Sequence, residues 1–173
     1  AKRALRMDNV KLIGLHCHIG SQVMEKEPFV HAAEVMLGLH HRIYKELEVE
    51  LEQLNLGGGF GIHYLETDDF IPYHEYMQEV SAKISEVCAK YGIKLPRICI
   101  EPGRSIVGEA GITLYTVGNI KEIPHVRNYV AIDGGMYENP RYALYQSDYT
   151  CLIANKANKP ADYVATIAGK CCE

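Results

Sequence analysis

The first part of the chain alternates strand patterns with helix patterns, and this most restricts the folds open to it. Lys11 to Ile19 is a mostly apolar run ending in glycine and serine, and reads as a buried strand followed by a functional turn. Pro28 suits the first turn of a helix, and Phe29, Ala32, Ala33, Met36, Leu39, Ile43 and Leu47 then recur on one helical side. "LEQLNLGGGFG" is a short strand closing on a glycine turn. A second helical pattern begins at Asp69 and runs through Phe70, Tyr73, Met77, Val80, Ile84 and Val87 to a stop at Gly92. "RICIEPGRS" reads as a third short buried strand. Strand, helix, strand, helix, strand argues for a parallel sheet, because parallel neighbours need a crossover that a helix supplies.

The unusual residues gather where these strands end: His18 and Ser21, then Gly57 to Gly59, then Glu101 and Arg104. Active sites of parallel α/β folds collect at that edge. After Ser105 the texture changes. "GITLYTVGNIKEI", "NYVAIDGGM", "DYTCLIANK" and "DYVATIAGKC" are β-rich and separated by turns, which predicts a second, mainly β domain from about Ile106.

The 173 residues suffice for one compact domain or parts of two, and 47% hydrophobic with 23% charged residues is ordinary for a globular chain. A net charge of -4 with no block of like charge gives no nucleic-acid footprint. No apolar run is long enough to span a bilayer, so no membrane role is expected. Cys17, Cys88, Cys99 and Cys151 lie in apolar or helical patterns that favour buried thiols, and Cys171 and Cys172 are adjacent, so a reducing cytoplasm is expected rather than a disulfide framework. Both ends read as cut, the chain stopping at "GKCCE" straight after an apolar alternating run; a piece of a longer protein is expected.

Each strand end has a chemical and a bland reading. In "NLGGGFG" three glycines let backbone amides approach an anion such as a phosphate; equally they make a tight turn. The run lacks both the lysine of a Walker motif and the spacing of a dinucleotide site. In "EPGRS", Arg104 would grip a carboxylate or phosphate and Glu101 would hold a proton on a ligand nitrogen; the bland reading is a structural Glu–Arg pair. In "HCHIGS", His16 and His18 share one face of a strand and Cys17 the other, which disfavours both a zinc site and a Cys–His nucleophile pair, and no metal is expected. His18 is then a hydrogen-bonded core residue or an imidazole stacked on a flat ligand, with Ser21 on that ligand's phosphate. Together the three ends offer an aromatic face, a phosphate cradle and an acid for a ring nitrogen. Pyridoxal phosphate matches all three.

"GLHCHIGSQ", "NLGGGFGI", "EPGRSIV", "DGGMYENPRYALY" and "GKCCE" occur in the order seen in the pyridoxal-phosphate decarboxylases built like alanine racemase. The chain resembles that family along nearly its whole length, and within it most closely the diaminopimelate decarboxylases of bacterial lysine synthesis. The resemblance implies an α/β fold: the C-terminal part of a (β/α)8 TIM barrel followed by the start of a β domain. Residues 1–105 correspond to the last three βα units and 106–173 to the first part of the β domain. It also implies decarboxylation of meso-2,6-diaminopimelate to L-lysine and CO2, with pyridoxal 5'-phosphate as cofactor, in a homodimer with shared sites. By the same resemblance His18 stacks on the pyridine ring, and Ser21, Gly58 and Gly59 hold the phosphate. Glu101 faces the ring nitrogen, with Pro102 and Gly103 completing the phosphate-side turn. Arg104 reaches substrate, and Arg141 and Tyr145 hold the substrate carboxylate. Cys172 is the proton donor, and Glu173 recognises the distal amino-acid end.

The family's Schiff-base lysine lies on an early barrel strand, and no lysine here sits in a matching motif. The segment alone is therefore expected to be inactive. "NPRYALY" and "CE" distinguish it from ornithine decarboxylase. The rival readings are a same-fold decarboxylase of another diamino acid or polyamine precursor, a non-enzymatic pyridoxal-phosphate carrier, and a zinc-binding structural module.

Overall fold

The computed structural model describes residues 1–171. They divide into two compact units, one of residues 1–63 and 68–110 and the other of residues 64–67 and 111 onward.

The first unit is built on a three-stranded parallel sheet in chain order: β1 (Gly14–His16), β2 (Gln53–Asn55) and β3 (Arg97–Cys99). Two helices make the crossovers, α1 (Glu27–Leu47) and α2 (Tyr73–Tyr91). Proline enters α1 in its first turn, where a missing N–H costs no helical bond. Glu48 closes α1 in the left-handed region at φ 55°. The second helix begins at Tyr73, later than the pattern from Asp69 suggests: Pro72 is its N-cap, and a proline holds the residue before it extended. Phe70 therefore lies outside the helix and is exposed. Gly92 ends α2 as expected, at φ 64°.

The apolar faces of both helices pack with β2 into one core. Phe29, Ala33, Leu37, Leu54, Leu56, Phe60, Tyr76, Val80, Ile84 and Val87 are all buried there. Full burial of a leucine such as Leu54 or Leu56 contributes about 1.5–3 kcal/mol. The buried stripe of α1 is rotated from the sequence expectation. Leu37 and His40 face inward while Leu39 is 40% exposed, because the inward face follows Ala33, Leu37 and His40 at i, i+4 and i+7. The third strand is exposed at Arg97 and Ile98 rather than buried, since it is the edge of the described sheet.

After the short helix α3 (Gly103–Val107), the second unit carries its own three-stranded sheet. β4 (Val117–Ile123) pairs antiparallel with β5 (Arg127–Ile132) through an irregularity between Val117 and Ile120, and β5 pairs parallel with β6 (Thr166–Ala168). "DYTCLIANK" forms no strand; it runs irregularly into a 3-10 turn at Ala154–Lys156, and Cys151 is exposed rather than buried because no sheet covers it. "NPRYALY" folds into a short helix, α4 (Arg141–Tyr145).

Candidate functional site

Because β1, β2 and β3 are parallel and in register, with His16 beside Asn55 and Asn55 beside Cys99, their C-terminal ends share one edge. Main-chain bonds continue the sheet past that edge. Cys17 N–H donates to Asn55 O at 3.0 Å, Leu56 N–H to Cys99 O at 3.0 Å and Glu101 N–H to Gly57 O at 2.7 Å. Val23 N–H donates to Gly59 O at 2.9 Å, and Gly61 N–H returns to Val23 O at 3.0 Å. The three loops are thus sewn together at backbone distance.

Only glycine fits this seam. A Cβ on Gly57 would stand 2.4 Å from Cys17 O, one on Gly58 2.1 Å from Glu101 O and one on Gly59 2.0 Å from Gly20 O. Gly57 and Gly59 also hold φ of +71° and +96°. The glycine run therefore serves as a tight turn and as a close approach of three strand ends.

The side chains follow the strand alternation. His16 and His18 are exposed while Cys17 turns toward the core, where burial pushes its thiol pKa up and leaves it a poor nucleophile. Gly58 N–H donates to His18 Nδ1 at 3.3 Å, which fixes the orientation of the imidazole ring. Glu101 Oε1 accepts from Asn55 Nδ2 at 2.7 Å, and its Oε2 lies 3.4 Å from His16 Nε2. Gly103 N–H bonds back to Glu101 O at 2.9 Å and Ser105 Oγ donates to Pro102 O at 3.3 Å, so the Pro102–Gly103 turn redirects the chain into α3. From there Arg104 reaches across to Ser21, its guanidinium donating to Oγ at 2.8 Å. The sequence readings for His18, Ser21, Gly58, Gly59, Glu101, Pro102, Gly103 and Arg104 all fall on this one edge. Of the two glycine amides expected at a phosphate, that of Gly58 is donated to His18 instead.

The set suits a flat phosphorylated ring. Arg104 and Ser21 form a cationic and hydroxylic pair for an anion, and the glycine seam brings main chain close without side-chain obstruction. Glu101, held by the Asn55 amide on one oxygen, is a positioned carboxyl group of the kind that pairs with a ring nitrogen.

In the second unit, Arg141 and Tyr145 occupy one face of α4. The Arg141 guanidinium lies 5.9 Å from the Tyr145 ring centre and 5.6 Å from that of Tyr64, and donates to Ser147 Oγ at 3.3 Å. Thr150 Oγ1 holds the Tyr64 carbonyl at 2.9 Å. Cys172 and Glu173 lie outside the described residues.

Sequence reasoning overlooked Asn55, Gln22 and Tyr64. Asn55 had a signal: it is a polar residue on the last strand rung, two positions before the glycine run. Gln22 stands at φ 59°, and its side-chain amide bonds both the N–H and the carbonyl of Ile62, replacing a strand rung. Nothing local marks either Gln22 or Tyr64.

Residues 1–108 match the pyridoxal binding domain of the pyridoxal-dependent decarboxylases, and the chain belongs to that family. It is similar to the diaminopimelate decarboxylase of Bacillus methanolicus, 48% identical over 98% of this chain and 39% of the relative, and to that of Bacillus subtilis strain 168, 46% identical over 99% of this chain and 39% of the relative. Among solved structures, diaminopimelate decarboxylase from M. jannaschii superposes at TM-score 0.81 with 34% identity, covering 99% of this chain and 38% of that one. The Helicobacter pylori diaminopimelate decarboxylase complexed with L-lysine superposes at 0.79 with 26% identity, covering 99% and 40%. The chain thus spans about two fifths of the length of the relatives it matches.

Proposed function

We propose that the whole protein is a pyridoxal-phosphate-dependent decarboxylase converting meso-2,6-diaminopimelate to L-lysine and CO2. The observation that carries this reading is the convergence, on one edge of a parallel sheet, of the Arg104–Ser21 anion pair with a Glu101 carboxylate held by Asn55. The likeness to diaminopimelate decarboxylases across nearly the whole chain supports the substrate.

Bound pyridoxal phosphate supplies an electron sink for the pair left behind when a carboxylate departs as CO2. The residues of this chain prepare that chemistry. Ser21, Arg104 and the Gly59 end of the glycine turn hold the phosphate, with Pro102 and Gly103 shaping the turn that aims Arg104. His18, its ring fixed by the Gly58 amide, would stack on the pyridine ring. Glu101 would pair with the ring nitrogen and hold its proton. Arg104 also reaches the substrate side, and Arg141 and Tyr145 hold the substrate carboxylate. The Arg141 Nε is buried with no hydrogen-bond partner among the described residues, a donor suited to an incoming carboxylate. Cys172 delivers the proton that replaces CO2, and Glu173 reads the distal amino-acid end.

In this reading residues 1–105 are the last three βα units of a (β/α)8 barrel and 106–173 the start of the β domain; the contact boundary falls at Gly111. The protein is a cytoplasmic homodimer with shared sites, and its Schiff-base lysine lies outside this segment. No helix among the described residues is long and apolar enough to cross a membrane.

The test is lysine and CO2 release by the full-length protein from meso-diaminopimelate, with ornithine and arginine as competing substrates. Arg141→Ala should raise KM for diaminopimelate about tenfold or more, the scale of a lost charged hydrogen bond, while cofactor absorbance is retained. Preference for ornithine, or an unchanged KM in the variant, rejects the substrate assignment.

A further inference from the structure

We infer that Asn55 is a positioning residue that holds the Glu101 carboxylate in place; this rests on the reading of Glu101 as the partner of the cofactor's ring nitrogen. A side-chain amide has one accepting and one donating end. Here each end has a different task. Oδ1 accepts Gly57 N–H at 2.8 Å, and Nδ2 donates to Glu101 Oε1 at 2.7 Å. The main chain joins the same two strand ends, Glu101 N–H donating to Gly57 O at 2.7 Å. Asn55, Gly57 and Glu101 therefore close a ring of three hydrogen bonds that fixes the glycine turn and the acid relative to each other. Asn55 stands on the last rung of the sheet, paired with His16 on one side and Cys99 on the other, so the ring is anchored to the sheet rather than to a loop.

The direction of the Asn55–Glu101 bond matters. An N–H donor at 2.7 Å from Oε1 fixes which way that oxygen faces. His16 Nε2, 3.4 Å from Oε2, adds a second nitrogen on the other oxygen. A glutamate that is to meet a ring nitrogen must present its oxygens in one direction, and Asn55 sets that direction.

The substitution Asn55→Asp separates this role from a merely structural one. The aspartate still accepts Gly57 N–H, so the turn survives, but the donor is replaced by a second carboxylate oxygen facing Glu101. Two carboxylates so close share a proton, and the pair's upper titration moves toward neutral pH. Below that titration Glu101 is partly neutralised. In the full-length holoprotein the acid limb of the kcat profile should therefore move up by about one pH unit or more. The cofactor's visible absorbance should become pH-dependent over the same interval, with KM for diaminopimelate little changed. Asn55→Ala, which loses both ends, should release cofactor faster on dialysis; that rate decides the matter should the aspartate variant fail to fold. Glu101→Gln is measured alongside. Loss of turnover in Glu101→Gln with an unshifted acid limb in Asn55→Asp and unchanged cofactor release in Asn55→Ala overturns the Asn55 role and leaves the ring-nitrogen reading standing. Unchanged turnover and absorbance in Glu101→Gln overturns both.

Discussion

Gly58 adopts a backbone φ outside the left-handed region, yet a side chain has no place there: its Cβ would stand 2.1 Å from Glu101 O and 3.1 Å from the Glu101 carbonyl carbon. The obstacle is main chain, which yields only by shifting the loop that carries Glu101. Gly58→Ala should therefore destabilise the protein by about 1–3 kcal/mol, the usual cost of overpacking, and weaken cofactor retention. Gly111 is the comparison, since a Cβ there meets no heavy atom within 4 Å among the described residues, and Gly111→Ala should stay within about 0.5 kcal/mol of wild type. Thermal denaturation of both variants, with cofactor absorbance after dialysis, checks the contrast; equal Tm values would remove the steric argument. At this scale much of the site was legible, because His18, Ser21, Glu101 and Arg104 are residue types whose chemistry is visible without coordinates. The work of Asn55 was not, since an asparagine two residues before a glycine run reads as turn chemistry until its two bonds are seen.

Among the elements, α1 shows both what periodicity tells and what it misses. Its apolar spacing marks the helix, but Leu37 and Leu39 are equally apolar in sequence and only packing against β2 and α2 decides that Leu37 is buried and Leu39 exposed. His40 lies on the buried side, 2% exposed, and its Nε2 accepts Leu51 N–H at 3.2 Å, tying the end of α1 to the approach of β2. Burial lowers its pKa below the ordinary 6.5; nearby His41 pulls the same way, and Glu50 opposes. A base with a depressed folded pKa binds fewer protons folded than unfolded, so its stabilising contribution is complete above about 6.5 and is lost as the pH falls through the folded value. Stability of the full-length protein should drop on acidification below that point, and His40→Gln, which cannot titrate, should show a smaller drop. Denaturant midpoints from pH 7.5 down to about 5 measure it; parallel curves for the two proteins would acquit His40. The parallel sheet itself was readable because strand and helix patterns alternate over lengths that only a crossover explains. The stretch "DYTCLIANK" was misread because a short apolar run marks a strand only when a neighbour pairs with it.

For the whole molecule, the chain carries about two fifths of the length of its relatives, 39% of the Bacillus methanolicus protein, and the proposed chemistry needs groups beyond it. Cys172 follows Cys171 directly, so the two are told apart by substitution. In the full-length protein Cys172→Ala should leave cofactor absorbance nearly intact while cutting turnover by about a hundredfold or more, as for a lost general acid. Cys171→Ala should do far less. A donor supplied by the partner subunit further requires that Cys172→Ala protein, mixed with protein lacking the Schiff-base lysine, regain part of its activity. Mixed dimers without recovered activity exclude a shared site, and a more damaging Cys171→Ala moves the donor by one residue.

Three glycines in succession would normally make the most pliant stretch of a chain, but Phe60, which follows them, is 2% exposed and stacked on Phe29 at 4.5 Å with the Tyr76 ring edge-on at 5.4 Å. The loop is thus moored in the aromatic core at one end and hydrogen-bonded to Asn55 and His18 at the other. Its conformational freedom is surrendered during folding and not at ligand encounter, so binding need not wait for the loop to order nor lose affinity to that ordering. Amide protons of Gly57, Gly58 and Gly61 should accordingly exchange with solvent on the slow clock of core opening, in a sequence whose composition suggests the fast clock of a free loop.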